Sequence, residues 1–332
     1  MFNQSTRITI LGGGSWATAL MKLLLNNHQE VGWYIRNKDT VQHIKAYRHN
    51  PHYLSDVLLK PSRIKFHDSL KDAVDESEIL VVAIPSAFLH DGLAQANISL
   101  NGKYIVSAVK GMIPGKDTIL ANYFIEEFKL PSSSIAIIAG PCHAEEVALE
   151  RLSYLTIASE NANFASFIAS QLQCRHLHTS ISDDLYGTEY AAVLKNIFAL
   201  AAGICHGLGY GDNFQAVLIS NAIQEIERFT AKVHPISRDI KDSAYLGDLM
   251  VTAYSTFSRN RNFGSMIGKG YSVAAANLEL NMVAEGYYAV KSIYTLNRRI
   301  KAYMPITDAV YRILYGHESP ADEIKRLSRK LS

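Results

Sequence analysis

Residues 8–20 read ITILGGGSWATAL, an apolar run that passes through three glycines into a helix-forming segment. Gly12, Gly14 and Ala17 stand in the arrangement G-x-G-x-x-A. The first small residue permits a tight turn, the second lets a pyrophosphate approach the backbone, and the third packs a helix close to a sheet. Because a predicted strand precedes the motif and a helix follows it, we predict a dinucleotide-binding turn rather than a turn without a ligand. Ser15 and Trp16 begin that helix, where they could contact the cofactor.

The first half of the chain alternates short β-branched runs with helical stretches, of which Trp16–Asn27 and the segment after His143 are examples. Several of the runs are apolar on consecutive residues, as strands covered on both faces are. This alternation predicts an α/β fold with a doubly wound, mostly parallel sheet. The predicted strands are Arg7–Leu11, Val31–Arg36, Ile79–Ile84, Tyr104–Val109, Ile135–Ala139, Leu155–Ala158 and Arg175–Thr179.

The second half has a different pattern. From Thr188 to Val233 apolar residues recur at spacings of three and four, with a break from Gly203 to Asn213, and helical segments continue through Met282–Arg299 and Thr307–Tyr315. A chain of 332 residues is too long for one average core. We therefore predict two domains, a dinucleotide-binding domain over residues 1–188 and a helical domain over residues 189–332.

Composition excludes several classes of protein. Hydrophobic residues make up 48% and charged residues 19% of the chain, and the net charge is +2, which is too weak to indicate a nucleic-acid partner. The N-terminus lacks the features of a signal peptide, and no apolar run approaches the roughly 18 residues of a membrane span. Three cysteines without metal-ligand spacing indicate thiols in a reducing compartment. We expect a cytoplasmic protein with no stable membrane insertion.

Two further groups of residues are candidates for contact with a cofactor or a metal ion. The second predicted strand ends in Arg36, where NAD-binding domains usually carry an acidic residue for the ribose hydroxyls. An arginine there can accept the 2′-phosphate of NADP, although a solvated surface arginine is the alternative. His176 and His178 lie two residues apart on one strand, but no third ligand accompanies them, so we predict no metal site.

The whole chain resembles the bacterial-type NAD(P)-dependent glycerol-3-phosphate dehydrogenases. Residues 12 to 315 contain the matching segments in the expected order: GGGSWATAL, AIPSAF, VKGM, AGPCHAEEVA, AAVLKNIFALAAGICHGLGYGDN, LGDLMVTAYSTFSRNRNFG, VAEGYYAVKSIY and MPITDAVYRILY. The LKN, GDL and SRNRNFG segments are far more specific than the glycine-rich turn.

This resemblance implies a Rossmann-type domain followed by an all-α domain like the C-terminal domain of 6-phosphogluconate dehydrogenase. It also implies reversible reduction of dihydroxyacetone phosphate to sn-glycerol 3-phosphate with NADP or NAD, in the synthesis of glycerophospholipids.

Lys195 stands in the apolar stretch AAVLKNIFAL. Desolvation there would lower the pKa of its ammonium group toward neutrality, and the resemblance places the general base of alcohol oxidation at this position. The alternative is a helix lysine whose ammonium group reaches solvent. Asn196 could orient the substrate or serve as a structural hydrogen-bonding residue.

Two charged residues accompany Lys195 in the resemblance. Lys110 ends a predicted strand at the carboxyl edge of the sheet, and the resemblance assigns it contact with both substrate and cofactor. Asp248 matches a substrate residue of the family and could hydrogen-bond the substrate or hold Lys195. A solvated lysine and a helix N-cap are the respective alternatives.

The segment from Ser258 to Asn262 combines a hydroxyl, two guanidinium groups and two amides, a set that suits a phosphate. The resemblance implies substrate contacts from Ser258, Arg259 and Asn260, and a cofactor contact from Arg259. The alternative is a polar helix start with solvated arginines.

Five further positions follow from the resemblance alone. Gly140 and Cys142 match substrate-binding positions, and Ala144 matches a cofactor contact. The family commonly has a hydroxyl residue where this chain has Cys142, and a thiol is a poorer hydrogen-bonding group. Val283 and Glu285 match positions near the nicotinamide.

Other functions stay open from the sequence. A related dehydrogenase acting on a hydroxyacid or a hydroxyacyl thioester would share the domain organisation. A non-catalytic NAD(P)-binding sensor would be expected to lack Lys195, Asp248 or Arg259, and all three are present. A homodimer is possible.

Overall fold

The computed structural model describes residues 2–3, 5–280 and 284–332. The chain forms two compact units. The first comprises Met1–Val109 and Leu120–Leu185, and the second comprises Lys110–Ile119 and Tyr186–Ser332. These units depart from the predicted limits, 1–188 and 189–332, mainly in the segment Lys110–Ile119, which belongs with the helical unit.

The first unit is built on a sheet with the strand order β10-β9-β8-β5-β4-β1-β2-β3. The strands of the described chain are β1 Ile8–Leu11, β2 Val31–Tyr34, β3 Ile64–Phe66, β4 Ile79–Val82, β5 Tyr104–Ser107, β6 Met112–Ile113, β7 Thr118–Ile119, β8 Ile135–Ala139, β9 Ser153–Ala158 and β10 Leu177–Ser182. Neighbouring strands of the sheet run parallel except β8 and β9, so β9 and β10 oppose the others. The predicted mostly parallel sheet is confirmed.

Helices cover the sheet of the first unit. They are α1 Ser15–Asn27, α2 Lys38–Tyr47, α3 Leu70–Asp75, α4 Ser86–Gln95, α5 Leu120–Phe128, α6 Ala144–Ala148 and α7 Ala162–Leu172. Every residue of β1, β4 and β8 is buried, which explains why these strands are apolar on consecutive positions. The core of this unit therefore lies on both faces of the sheet.

The turn between β1 and α1 requires glycine at its first position. Gly12 has φ +125°, and a Cβ there would lie 2.7 Å from the carbonyl oxygen of Ala83. An L side chain would meet both backbone strain and a collision with the end of β4. The chain can therefore leave β1 and enter α1 within four residues.

The second unit is helical, and its described helices are α8 Leu185–Gly207, α9 Asp212–Val233, α10 Asp248–Tyr254, α11 Arg259–Gly268, α12 Val273–Leu280, α13 Glu285–Ile300, α14 Pro305–Tyr315 and α15 Pro320–Ser328. Among the described residues, α8 alone is long and apolar enough to cross a bilayer, and 89% of its apolar window is buried within the structure. Residues 187–205 of this helix are buried without interruption, so α8 is a core helix of the second unit.

One element of the second unit is not helical. Strands β6 and β7 pair as an antiparallel hairpin, in which Met112, Ile113 and Ile119 are buried. The prediction of an all-α domain therefore omits this hairpin, and the prediction also lacks β3. Strands of two or three residues are too short for a periodic pattern to reveal them.

Helix α8 continues through Gly203 because it packs directly against the backbone of α11. A Cβ on Gly203 would lie 2.0 Å from the carbonyl oxygen of Arg261, and one on Gly264 would lie 2.2 Å from that of Leu200. Real Cβ contacts are never this short, so the two backbones touch only because both residues lack side chains. The predicted break between Gly203 and Asn213 is confirmed, but it comprises only residues 208–211, because this helix contact outweighs the low helix propensity of glycine at Gly203.

Replacing Gly264 by alanine should push α8 and α11 apart. We expect Gly264→Ala to lower the free energy of unfolding by about 1–3 kcal/mol through overpacking. Gly92 in α4 is a matched control, because nothing lies within 4 Å of a Cβ there. Gly92→Ala should be neutral or stabilise by up to about 1 kcal/mol through helix propensity. Thermal unfolding of the two variants checks this, and equal melting temperatures would contradict the close helix contact.

Candidate active site

Lys195 lies in the middle of α8, and its side chain is buried with 6% exposure. Its Nζ donates hydrogen bonds to Asp248 Oδ1 at 2.5 Å and to Thr252 Oγ1 at 2.7 Å. The alternative in which this ammonium group reaches solvent is therefore wrong. A buried ammonium group must have such partners, because burying it unpaired is far more costly.

Asp248 connects Lys195 with Lys110. Its carboxylate is 1% exposed, and its Oδ2 accepts a hydrogen bond from Lys110 Nζ at 2.9 Å. The N-cap position of α10 belongs to Gly247, so the alternative that placed Asp248 at the cap is wrong. A π-helical turn, Ser243–Gly247, leads into α10, and such turns often occur at functional sites. One carboxylate thus holds two ammonium groups.

Thr252 is a member of this cluster that sequence reasoning missed. It follows Asp248 by one turn of α10, and its hydroxyl donates to the Asp248 carbonyl oxygen at 2.6 Å. That orientation leaves the oxygen lone pairs for the Lys195 ammonium group. The i, i+4 spacing from Asp248 is the signal that could have identified it, because such residues share a helix face.

Burial and neighbouring charges change the titration of this cluster. The pKa of Lys195 is lowered to about 7, chiefly by burial; Asp248 opposes this shift and the Lys110 ammonium group adds to it. Burial alone would raise the pKa of Asp248, but Lys110 and Lys195 outweigh this and hold it below its ordinary value. Near neutral pH the cluster therefore contains an ionised carboxylate and a lysine that can gain or lose a proton.

Asn196 fixes the backbone that carries Lys110. Its Nδ2 donates to the Lys110 carbonyl oxygen at 2.7 Å, which ties α8 to the start of the β6–β7 segment. Of the two roles left open by the sequence, the structure displays the structural hydrogen bond. Lys110 itself keeps 17% of its side chain exposed, so a ligand can reach it.

The segment that begins α11 lies in the same unit. Ser258 is the N-cap of α11, and its hydroxyl accepts a hydrogen bond from the Arg261 N–H at 3.3 Å. Asn260 is buried, and its Oδ1 accepts from the Gly286 N–H at 2.9 Å. Arg259 is half-buried in the first turn of the helix. Ser258 and Asn260 thus have structural roles, and the substrate contacts expected of these three residues stay predictions.

The turn at Gly12–Trp16, in the first unit, fits a dinucleotide. Gly14 caps α1 without any side-chain hydrogen bond, and a Cβ on Gly14 would meet nothing within 4 Å. The space in front of the helix start is therefore open to a phosphate group. Trp16 Nε1 is buried and has no hydrogen-bond partner among the described residues. Arg36 is exposed just after β2, where a 2′-phosphate could reach it.

The remaining candidate residues are divided between the units. Gly140, Cys142 and Ala144 follow β8 in the first unit, where Cys142 is half-buried and α6 begins at Ala144. Glu285 is the first residue of α13 in the second unit. Val283 lies outside the described residues. The cysteines, all of them described, form no disulfide, and the described residues contain no cluster of three metal-ligating side chains.

Comparison with known families identifies both halves of the chain. Residues 7–165 match the model of the NAD-dependent glycerol-3-phosphate dehydrogenase N-terminus, and residues 184–325 match that of its C-terminus. A protein of Bacillus pumilus named glycerol-3-phosphate dehydrogenase [NAD(P)+] is 34% identical over 98% of this chain and 94% of its own length. A protein of Clostridium botulinum with the same name is 36% identical, with 97% of each chain covered.

Solved structures agree with these matches. The crystal structure of glycerol-3-phosphate dehydrogenase from Coxiella burnetii superposes with a TM-score of 0.90. It is 28% identical to this chain and covers 98% of it, with 99% of the Coxiella chain included. The expected order of a Rossmann-type unit and a helical unit is thus confirmed.

Removing the charge of Asp248 should destabilise the protein. Asp248→Asn would remove the carboxylate that pairs with the buried Lys195 and the part-buried Lys110, so we expect a loss of about 3–5 kcal/mol in the free energy of unfolding. Asp242→Asn is the matched control, because Asp242 is exposed and lies six residues earlier on the same segment. Its stability should change by less than about 0.5 kcal/mol. Thermal unfolding at pH 7 measures both, and an unchanged melting temperature for Asp248→Asn would contradict the ion-pair cluster.

Proposed function

Because the chain belongs to the NAD-dependent glycerol-3-phosphate dehydrogenase family, we propose that it interconverts dihydroxyacetone phosphate and sn-glycerol 3-phosphate with Lys195 as the proton-exchanging group. The buried cluster of Lys195, Asp248 and Lys110 carries this proposal. Alcohol oxidation needs a base whose pKa lies close to the working pH, and burial supplies one at Lys195. The same group donates a proton in the reverse direction.

The reaction divides between cofactor and protein. When bound, the nicotinamide supplies a hydride to the carbonyl carbon or accepts one from the alcohol carbon. In ketone reduction, the Lys195 ammonium group donates its proton to the carbonyl oxygen, which becomes the C2 hydroxyl. In alcohol oxidation, neutral Lys195 accepts that hydroxyl proton. Lys110 stabilises negative charge developing on the same oxygen.

Substrate binding is assigned to two groups of residues. Arg259 suits the phosphate, because a guanidinium group can donate two parallel hydrogen bonds to it, and the start of α11 favours an anion. Ser258 and Asn260 are proposed to add polar contacts around that phosphate. Gly140 and Cys142 are proposed as substrate residues of the first unit, with Cys142 contributing through its backbone.

Cofactor binding is assigned to the glycine-rich turn and to residues that follow the family match. Gly12 and Gly14 admit the pyrophosphate, and the start of α1 favours its charge. The proposed cofactor residues of the described chain are Gly12, Gly14, Ser15, Trp16, Arg36, Lys110, Ala144, Arg259 and Glu285. Val283 completes the set from the family match alone.

We also propose a cellular role and location for the enzyme. The product of the reductive direction is a precursor of glycerophospholipids, which is the role that we propose for the enzyme. Three cysteines without a disulfide suit the reducing cytoplasm. A homodimer stays a prediction.

Replacing Lys195 tests the proposed function. We expect wild-type protein to oxidise NADPH or NADH when dihydroxyacetone phosphate is added. Lys195→Met keeps the aliphatic stem and removes the proton donor, so kcat should fall by about 10²–10⁴-fold. Lys269→Met, at an exposed position after α11, is the control and should retain full activity. The rate at which nicotinamide absorbance is lost measures the activity of the wild type and of both variants.

The pH profile separates proton exchange from a structural role. Because neutral Lys195 is the base, alcohol oxidation should rise as pH increases through about 7, and ketone reduction should fall over the same interval. In Lys195→Met, neither the rise of the oxidation rate with pH nor the fall of the reduction rate should remain.

A folded wild type that binds the cofactor but never reduces dihydroxyacetone phosphate would contradict the proposed substrate and favour a hydroxyacid substrate.

Arg36 is proposed to recognise the 2′-phosphate of NADP. Arg36→Ala should raise the KM for NADPH roughly tenfold, equivalent to about 1.4 kcal/mol, and leave the KM for NADH nearly unchanged. Lys45→Ala, an exposed cation at the far end of α2, is the control. A parallel rise for both cofactors would mean that Arg36 contacts the adenosine rather than the 2′-phosphate.

A further inference from the structure

Asn50 is a fully buried amide in the first unit, with 0% exposure. It lies in the loop after α2, just beyond Arg48, whose left-handed backbone (φ 65°) ends that helix and reverses the chain. The loop is otherwise mostly exposed or half-buried. A buried amide must find partners for all its polar groups, and the positions of those partners reveal what it holds in place.

The partners of Asn50 belong to the glycine-rich turn and to the first turn of α1. Asn50 Nδ2 donates one hydrogen bond to the Gly13 carbonyl oxygen and one to Thr18 Oγ1, both at 3.0 Å. Thr18 Oγ1 in turn donates to the Gly14 carbonyl oxygen at 2.9 Å. Asn50 Oδ1 accepts from the His52 N–H at 3.1 Å. Both amide protons and the hydroxyl proton therefore have an acceptor.

These contacts fix the orientation of the Asn50 amide. A flipped amide would place Oδ1 against the Gly13 carbonyl oxygen and Nδ2 against the His52 N–H, which would pair acceptor with acceptor and donor with donor. The observed orientation alone satisfies every group. Aspartate has the same shape but lacks the two donated protons.

The two restrained carbonyl groups determine where the neighbouring N–H groups point. In a trans peptide the C=O and N–H bonds point in opposite directions. The Gly13 carbonyl shares its peptide plane with the Gly14 N–H, and the Gly14 carbonyl shares its plane with the Ser15 N–H. Because Asn50 and Thr18 bind the two carbonyl oxygens on one side, the two N–H groups are directed to the opposite side. That arrangement gives a phosphate group preoriented donors at the start of α1.

We propose that Asn50 is a positioning residue for the cofactor pyrophosphate, acting through the carbonyl groups of Gly13 and Gly14. This inference rests on the proposed use of the glycine-rich turn by NAD(P). Asn50 contacts backbone rather than ligand, and Thr18 relays its effect to the second peptide. The pair keeps the turn in its binding conformation before the cofactor arrives.

The test measures the Kd of NADPH and of ADP-ribose, which contains the pyrophosphate but lacks the nicotinamide, together with the kinetics of the full-length enzyme. Asn50→Asp should raise both Kd values at least tenfold, because a carboxylate would face the Gly13 carbonyl oxygen. The KM for dihydroxyacetone phosphate and kcat at saturating NADPH should change less than twofold. Thr18→Val removes the relay to Gly14 and the acceptor of one Asn50 amide proton but keeps the Asn50 bond to Gly13, so it should raise both Kd values by a smaller factor.

Asn27→Asp is the matched control, because Asn27 Nδ2 also donates to two backbone carbonyl groups, at the opposite end of α1. It should leave both Kd values unchanged. If Asn50→Asp does not fold, the Kd values of the Thr18→Val protein test the positioning role instead. Wild-type affinity in a folded Asn50→Asp or Thr18→Val protein would overturn the positioning role. A wild type that binds neither ligand would instead overturn the proposed function.

Discussion

The buried carboxylate of Asp248 is the constraint on which the helical unit depends. A buried carboxylate is strongly destabilising unless cations and hydrogen bonds surround it. Its two cations come from residues 138 and 53 positions earlier in the sequence, Lys110 and Lys195. The segment Lys110–Ile119, which contains the β6–β7 hairpin, therefore has an electrostatic reason to belong with the helical unit. While Lys195 is protonated, the charge of the two ammonium groups exceeds that of the Asp248 carboxylate, which suits a phosphate substrate and a developing oxyanion.

Backbone contacts between helices hold this cluster beside the start of α11. Gly203 and Gly264 let α8 and α11 approach until their backbones touch. A third helix, α13, contacts α8 about two turns earlier, because a Cβ on Gly286 would lie only 2.6 Å from the carbonyl oxygen of Asn196. The Asn260 side chain then hydrogen-bonds the N–H of Gly286. The contacts of α8 with α11 and with α13 thus leave no room for a side chain at Gly203, Gly264 or Gly286.

Sequence patterns revealed those features whose cause is local. The consecutive apolar residues of β1, β4 and β8, together with the glycine-rich turn, predicted the sheet, since burial on both faces leaves that signature. A lysine among apolar residues predicted a perturbed group at position 195. Asn50 was missed because its partners are set by the tertiary fold, and an isolated polar residue carries no periodic signal. The same reason explains why the two-residue strands of the hairpin were not predicted. Thr252 does share a helix face with Asp248 through its i, i+4 spacing, but that spacing alone does not show that Lys195 meets both residues.

The pKa of Lys195 is the result of three effects, of which burial and Lys110 lower it and Asp248 raises it. Burial favours its neutral form, and the adjacent Asp248 carboxylate favours its charged form. With Asp248 paired to Lys195 alone, the ion pair would oppose deprotonation more strongly. Lys110 shares that carboxylate and adds its own repulsion, so it shifts the balance back toward the neutral amine. A second lysine thus serves two purposes, since it both stabilises the buried carboxylate and allows Lys195 to release its proton near neutral pH.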